Sequence, residues 1–260
     1  MTSTILTHDQ IRAAAPAAFA TQESLTMSER YNFVNTASIL KKLEGNGFFP
    51  VQAAQQTPRE RNPLHVQHSI VLRPDDYDVA EGEVVPQILL VNSHNGRTKL
   101  RIFAGFYRFV CANGIVVGDD KFTLEVGHAD RVAQGVDEYI ERFGSQVSDL
   151  NLRMRRWSQI QMTKMDSLAF AREAAEIRFG SQMKTAFDPS DVLEAKRTED
   201  EGQTLWQVFN RVQENAMKGG IKGKTASGRP TTSRPVNAIH ADIDFNRSLW
   251  ALAERVAEAA

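Results

Sequence analysis

Two sets of cations carry the clearest chemistry in this sequence. In the first, Arg97, Lys99 and Arg101 alternate along one stretch, with Phe103, Phe106, Tyr107 and Arg108 just beyond. Alternate residues of a strand share one face, so these cations would line up with Phe103 following on the same side. Cations beside aromatic rings suit a single-stranded nucleic acid, because the cations neutralise phosphates and the rings stack on bases. The bland counterpart is an exposed sheet face with its aromatics buried behind it. In the second set, Lys218, Lys222, Lys224, Arg229 and Arg234 fall in a stretch rich in glycine, serine and threonine, with no acidic residue between Lys218 and Arg234. Such a segment can approach phosphates closely and order on contact, or it can serve as a solvated linker. Arg153, Arg155 and Arg156 around Trp157 read as a solvated helix face.

Other reactive residue types are poorly placed. His65 and His68 are three apart, and on a strand that spacing turns the rings to opposite faces. The paired-histidine zinc motif needs a helix and an intervening glutamate. Asp75, Asp76, Asp78, Glu81 and Glu83 offer oxygen ligands for a divalent cation, but the glycine and distal glutamate of a calcium loop are missing. A solvated loop accounts for them, as it does for Asp119 and Asp120. Cys111, the only cysteine, could be a nucleophile only beside a base, and reads as a small apolar residue at a strand end. Neither a Gly-x-Ser-x-Gly elbow nor a phosphate-binding loop is present. The glycine- and lysine-rich run 219–224 follows a helix and precedes a loop, which is the wrong context for a phosphate loop. No catalytic residue, metal-ligand set or cofactor site emerges.

The elements that must hold these residues can be read from pattern. Residues 11–20 suit a short helix interrupted at Pro16, and Tyr31–Val34 suits a short strand by its aromatic and β-branched content. Thr36 can cap a helix over 37–44 whose apolar face is Ile39, Leu40 and Leu43. Strands follow over 48–54, 66–73, 84–92, 98–110 and 122–126, punctuated by Pro63, Pro74 and Pro86. Asn95-Gly96 suits a tight hairpin turn and Asn113-Gly114 a second. The fold expected is therefore α+β, an antiparallel sheet meander followed by a long helix and C-terminal helices. Val136, Ile140, Phe143, Val147, Leu150, Met154 and Trp157 form the heptad seam of that long helix. Further helices are expected over 167–179, from Asp188-Pro189, from the Thr204/Gln207 capping box, and over 242–257. These elements divide the chain into an N-terminal segment 1–30, a core domain 31–180 and a helical extension 181–260 carrying the basic loop 217–236.

The chain has 260 residues, 42% hydrophobic, with a formal net charge of −1. That length can bury a core without staples, and that charge excludes a generic polyanion binder, so any nucleic-acid contact must be a local patch. One cysteine rules out an intramolecular disulfide and fits a reducing compartment. With no apolar leader or membrane-length run in view, the expected location is the cytoplasm.

Asn92-Ser93-His94-Asn95-Gly96, followed by Arg108, Cys111, Asn113 and Gly114, resembles the signature of a phage and plasmid family (domain of unknown function 932). Its members pair an Asn-Ser-His-Asp-Gly hairpin with an Arg-x-x-Cys-x-Asn-Gly segment. This chain departs from the pattern at Asn95, where aspartate is common, so one charge is missing. The resemblance implies a mobile-element context and no particular reaction. Its layout is similar to that of phage single-strand annealing proteins of the Erf and Redβ type, an analogy at the level of the fold. The motif can be read as turn chemistry, or as a way to place His94 and Arg108 at one rim of the sheet.

The function expected is nucleic-acid binding, with single-stranded DNA as partner, in phage or plasmid recombination or replication. Contacts would come from Arg97, Lys99, Arg101 and Arg108 on the sheet and from Lys218, Lys222 and Lys224 on the loop. The apolar seam suggests a homo-oligomer. Two other readings stay open: a counter-defence or host-interaction protein that binds a protein or a nucleotide signal, and a metal-dependent enzyme using the acidic loop and histidines.

Overall fold

Thr7 and Gln10 exchange hydrogen bonds as a capping box, satisfying free N–H groups at the start of α1, His8–Ala14. A 3₁₀ turn, Pro16–Phe19, follows immediately. The expected helix interrupted at Pro16 is thus present as two short pieces, and Ile11, Ala15, Ala17 and Ala18 are wholly buried. The computed structural model describes residues 4–27, 31–57, 63–75, 84–108, 113–126, 132–180, 187–225 and 227–260. The chain divides into two compact units, Met1–Val147 and Ser148–Ala260.

In the first unit, α2 covers Thr36–Gly45 and buries Ile39, Leu40 and Leu43. Its N-cap is Asn35, whose side chain accepts from the Ser38 N–H at 3.0 Å. Thr36, expected to be the cap, is the first helical residue and turns its hydroxyl into the core. Tyr31–Val34 forms no strand. Side chain-to-backbone bonds stand in for a ladder: the Tyr31 hydroxyl donates to the Ser93 backbone carbonyl, and the Val34 carbonyl accepts from the Asn92 side-chain amide.

The strands are β1 (Phe48–Gln55), β2 (His68–Pro74), β3 (Val84–Asn92), β4 (Leu100–Arg108), β5 (Asn113–Val116) and β6 (Thr123–Val126). They form one antiparallel sheet in the order β1-β2-β3-β4-β5, with β6 also paired to β4. β4 splits its far edge, giving Gly105–Arg108 to β5 and Leu100–Phe103 to β6. Ile70, Leu72, Ile88, Leu90, Ile102 and Phe106 alternate onto one face and are buried. α1 and α2 pack against β1, and the 3₁₀ turn against β2. Asn95-Gly96 is not a two-residue turn. β3 and β4 are joined by residues 93–99, closed by reciprocal bonds between Ser93 Oγ and the Thr98 backbone. Gly96 sits there at φ +70°, and a Cβ on it would lie 3.0 Å from Met27 Sδ. Asn113 and Gly114 open strand β5 rather than form a turn.

The long helix expected from the heptad seam is α3, Val132–Trp157. In the first unit Phe143 meets Phe48 edge-on at 4.9 Å, and the Tyr139 hydroxyl donates to the Phe122 carbonyl. In the second unit Trp157 lies 4.5 Å from Trp250 and 5.4 Å from Phe209, ring to ring. Val136, Phe143, Leu150, Met154 and Trp157 are buried within the chain, while the seam positions Ile140 and Val147 are half-buried.

The second unit continues with α4 (Lys164–Phe179), a 3₁₀ turn Pro189–Leu193, α5 (Leu205–Lys218), the strands β7 (Lys222–Lys224) and β8 (Pro230–Thr232), and α6 (Ile239–Ala259). Helix α4 packs with α5 and α6 in this unit. Thr204 and Gln207 form the expected capping box of α5. This helix is buried from Val208 to Ala216, polar residues included, and several of those polar side chains bond to other elements. Asn215 donates to the Val192 and Glu194 carbonyls, and Gln213 donates to Asn246. Among the described residues no helix is long and apolar enough to cross a membrane.

Candidate functional site

Asn92 ends β3, Ser93 and His94 open the connection that follows it, and all three are wholly buried in the first unit. Asn92 donates to the Val34 carbonyl and to Thr36 Oγ1 at 3.0 Å, and its own carbonyl oxygen accepts from the Ser93 N–H. His68 lies opposite Asn92 in the sheet register. Its Nδ1 lies 3.0 Å from the Val66 carbonyl, which can only accept, so Nδ1 carries the proton. Nε2 is then left to accept from the Thr36 hydroxyl at 2.9 Å. The same logic makes His94 Nε2 a donor to the Ala17 carbonyl at 3.0 Å. The His94 ring also packs against Phe33 and, at 5.1 Å, against His68. His94 N–H donates to the His65 carbonyl, and the His94 carbonyl accepts from Ser24.

These bonds tie Ala17, Ser24, Val34 and Thr36 to His68 of β2 and to residues 92–94 at the end of β3. Burial lowers the His68 pKa to about 4, since desolvation penalises the imidazolium more than the bond to Val66 favours it. The Tyr31 hydroxyl is pushed up to about 12 by burial and by Glu23. Thr36 thus links His68 and Asn92, and the buried cluster acts as a latch between α2 and strands β2 and β3. Sequence reading missed it because its members are 32 and 56 positions apart and share no local pattern. Asn95 folds its side chain onto the Arg97 N–H, at the exposed tip of the connection.

The sheet cations are placed differently from one another. Lys99 Nζ and Arg101 Nε both bind the Glu125 carboxylate, at 2.7 and 2.8 Å, from the neighbouring strand β6. Hydrogen bonding from Lys99, with smaller contributions from Arg101, holds that carboxyl below its usual range. Arg97 is exposed but lies in the connection before β4. Arg108 is 4% exposed, so its guanidinium is not presented to solvent, and Phe103 and Phe106 are fully buried. Tyr107 is half-buried, with the Arg73 guanidinium 3.3 Å from its ring centre. Burial brings Arg73 down to about 10, partly offset by Tyr107. Cys111 lies outside the described residues, as does the side chain of Asn113, while Gly114 is exposed on β5.

The basic loop proves to be an anchored hairpin. β7 and β8 pair antiparallel, Lys222 opposite Thr232 and Lys224 opposite Pro230. Ile221 is buried beneath it, and Gly223 bridges to Phe187. Gly219 adopts φ +68°, and a Cβ there would lie 2.7 Å from the Arg234 carbonyl carbon, so no other residue fits. Lys218, at its base, binds Glu214 at 2.7 Å, and Arg197 binds the same carboxylate. Burial works against that charge, but the bonds from Lys218 and Arg197 outweigh it and hold the carboxyl low. Lys222, Lys224 and Arg229 are exposed and make no ion pair with a described residue. Lys222 and Lys224, two apart on a strand, project to one side.

Among the described residues no group of three or more His, Cys, Asp or Glu could hold a metal ion. Of the acidic loop only Asp75 is described, and it is exposed; Asp76, Asp78, Glu81 and Glu83 lie outside the described residues.

Comparison with known proteins adds kinship. The chain is 33% identical over 253 residues to UPF0380 protein YfjQ of Escherichia coli (strain K12), covering 96% of this chain and 90% of that relative. It is 32% identical to UPF0380 protein YafZ of the same strain, with the same coverage. No solved structure matches the chain. The family described as a domain of unknown function, DUF932, matches residues 25–250, a span holding the latch, the sheet and the hairpin alike, and the chain belongs to that family.

Proposed function

We propose that this protein binds nucleic acid through the β7–β8 hairpin, in the recombination or replication of a mobile element. The observation that carries the reading is the set Lys222, Lys224 and Arg229: exposed, without ion pairs to described residues, on a hairpin fixed at its base. Cations already held by a carboxylate gain little by exchanging it for a phosphate, and Lys99, Arg101 and Lys218 are in that position. The hairpin cations are ready to release counterions from a polyanion instead. The mobile-element context rests on the resemblance of the Asn92–Gly96 and Arg108–Gly114 segments to a phage and plasmid family.

The test is a salt titration of binding to a labelled DNA oligonucleotide. Affinity should fall steeply as salt rises. The combined variant Lys222→Ala, Lys224→Ala, Arg229→Ala should flatten that dependence without loss of helical signal. Absence of binding at low salt, or tight binding indifferent to salt, would remove the reading and leave a host-interaction role as the better account of the hairpin.

A further inference from the structure

We infer that the nucleic acid taken by the hairpin is duplex DNA rather than a single strand; the inference rests on the nucleic-acid reading above. Proteins that hold single strands draw much of their affinity from aromatic rings on which unpaired bases stack, at about 1–3 kcal/mol per base. Among the described residues no such platform is exposed. Residues 217–238 contain no Phe, Tyr, Trp or His. On the sheet, the rings expected to stack are withdrawn: Phe103 and Phe106 are buried, and the Arg73 guanidinium lies over the Tyr107 ring. Among the described residues no Phe, Tyr or Trp is exposed.

What remains is phosphate neutralisation, and that favours the ligand with the denser charge. A duplex carries one charge per ~1.7 Å of axis. The shape agrees. Strands in a ribbon lie about 4.8 Å apart, and the B-form major groove, ~12 Å wide, admits a two-stranded ribbon. The major groove of an A-form RNA helix is too narrow and deep for side chains to enter. Lys222 and Lys224 project from one strand to the same side, with the exposed Thr232 and Pro230 opposite them and Arg229 at the turn. The ribbon thus presents cations and a hydroxyl, and nothing that rewards an unstacked base.

Equal-length duplex DNA, single-stranded DNA and duplex RNA of one sequence, titrated into the full chain by fluorescence anisotropy, decide the matter. Duplex DNA should bind about tenfold more tightly than the single strand at equal salt. If Lys222, Lys224 and Arg229 each neutralise one phosphate, its log–log salt slope should be about −2.7, against about −2.1 for the single strand. Lys222→Gln with Lys224→Gln, which keeps side-chain bulk on an exposed strand, should remove most of the duplex preference. A single strand or an RNA duplex bound as tightly as duplex DNA would overturn the inference while leaving nucleic-acid binding intact. Absence of binding to all the probes would overturn both.

Discussion

The residues that look most like a signature turn out to be among the least accessible. Asn92, Ser93 and His94 spend their polar groups on Val34, Thr36, Thr98, Ala17 and Ser24, and a residue so occupied fixes a fold rather than meeting a ligand. The latch should respond to acid. His68 titrates near 6.5 in an unfolded chain and near 4 in the folded one, so its stabilising contribution is complete above 6.5 and is lost as pH falls toward 4. The loss is on the order of 3 kcal/mol over that window. Asp242 runs the other way. Burial raises its carboxyl from 3.8 to about 6 despite the bond from Asn246, so its contribution is present below 3.8 and is lost as pH rises through 6. Acidification from pH 7 to about 4.5 should therefore weaken the first unit and not the second. Trp157, Trp206 and Trp250 all lie in the second unit, which makes their fluorescence a selective probe. The tryptophan-monitored unfolding midpoint should hold or rise on acidification, while amide exchange at Ile70 and Leu90 accelerates. Sheet amides that stay equally protected at both pH values would show that His68 does not act this way.

At the scale of elements, α3 raises the sharpest question, because an apolar seam can serve a core or a second subunit. Here Phe143 packs on Phe48, and Leu150 has no exposed surface. Phe143→Glu or Leu150→Glu should therefore abolish cooperative folding rather than yield soluble monomers, since each buries a charge without a partner. A folded, monomeric Phe143→Glu protein would restore the seam as an interface. Local signals were legible in the sequence: Thr204 with Gln207 announced α5, the heptad spacing announced α3, and Val84–Asn92 read as a strand from its composition. Signals that depend on a distant partner were not. Tyr31–Val34 has the composition of a strand but satisfies its polar groups through Ser93 and Asn92. Asn95-Gly96 has the chemistry of a tight turn, yet Ser93 closes a longer connection around it. The pairing of Lys218 with Glu214 was available, being one helical turn apart, and marks Lys218 as a helix-stabilising residue before it is a ligand contact.

For the whole molecule, the notable feature is where charge is spent and where it is left. The net charge is −1, and the carboxylates Glu125 and Glu214 answer the cations Lys99, Arg101, Arg197 and Lys218. Lys222, Lys224 and Arg229 are among the exposed cations that make no ion pair with a described residue, and they are grouped on one hairpin anchored at Gly219 and Phe187. The sequence showed these cations but not this distinction, because pairing across strands and turns decides which charges remain. Lysine footprinting tests the claim most directly: brief acetylation of the protein with and without saturating duplex DNA, read by mass spectrometry. Lys222 and Lys224 should be protected when DNA is bound, while Lys99, on the sheet, should label equally in both states. Protection of Lys99 with Lys222 and Lys224 unchanged would contradict the account and return the interface to the sheet.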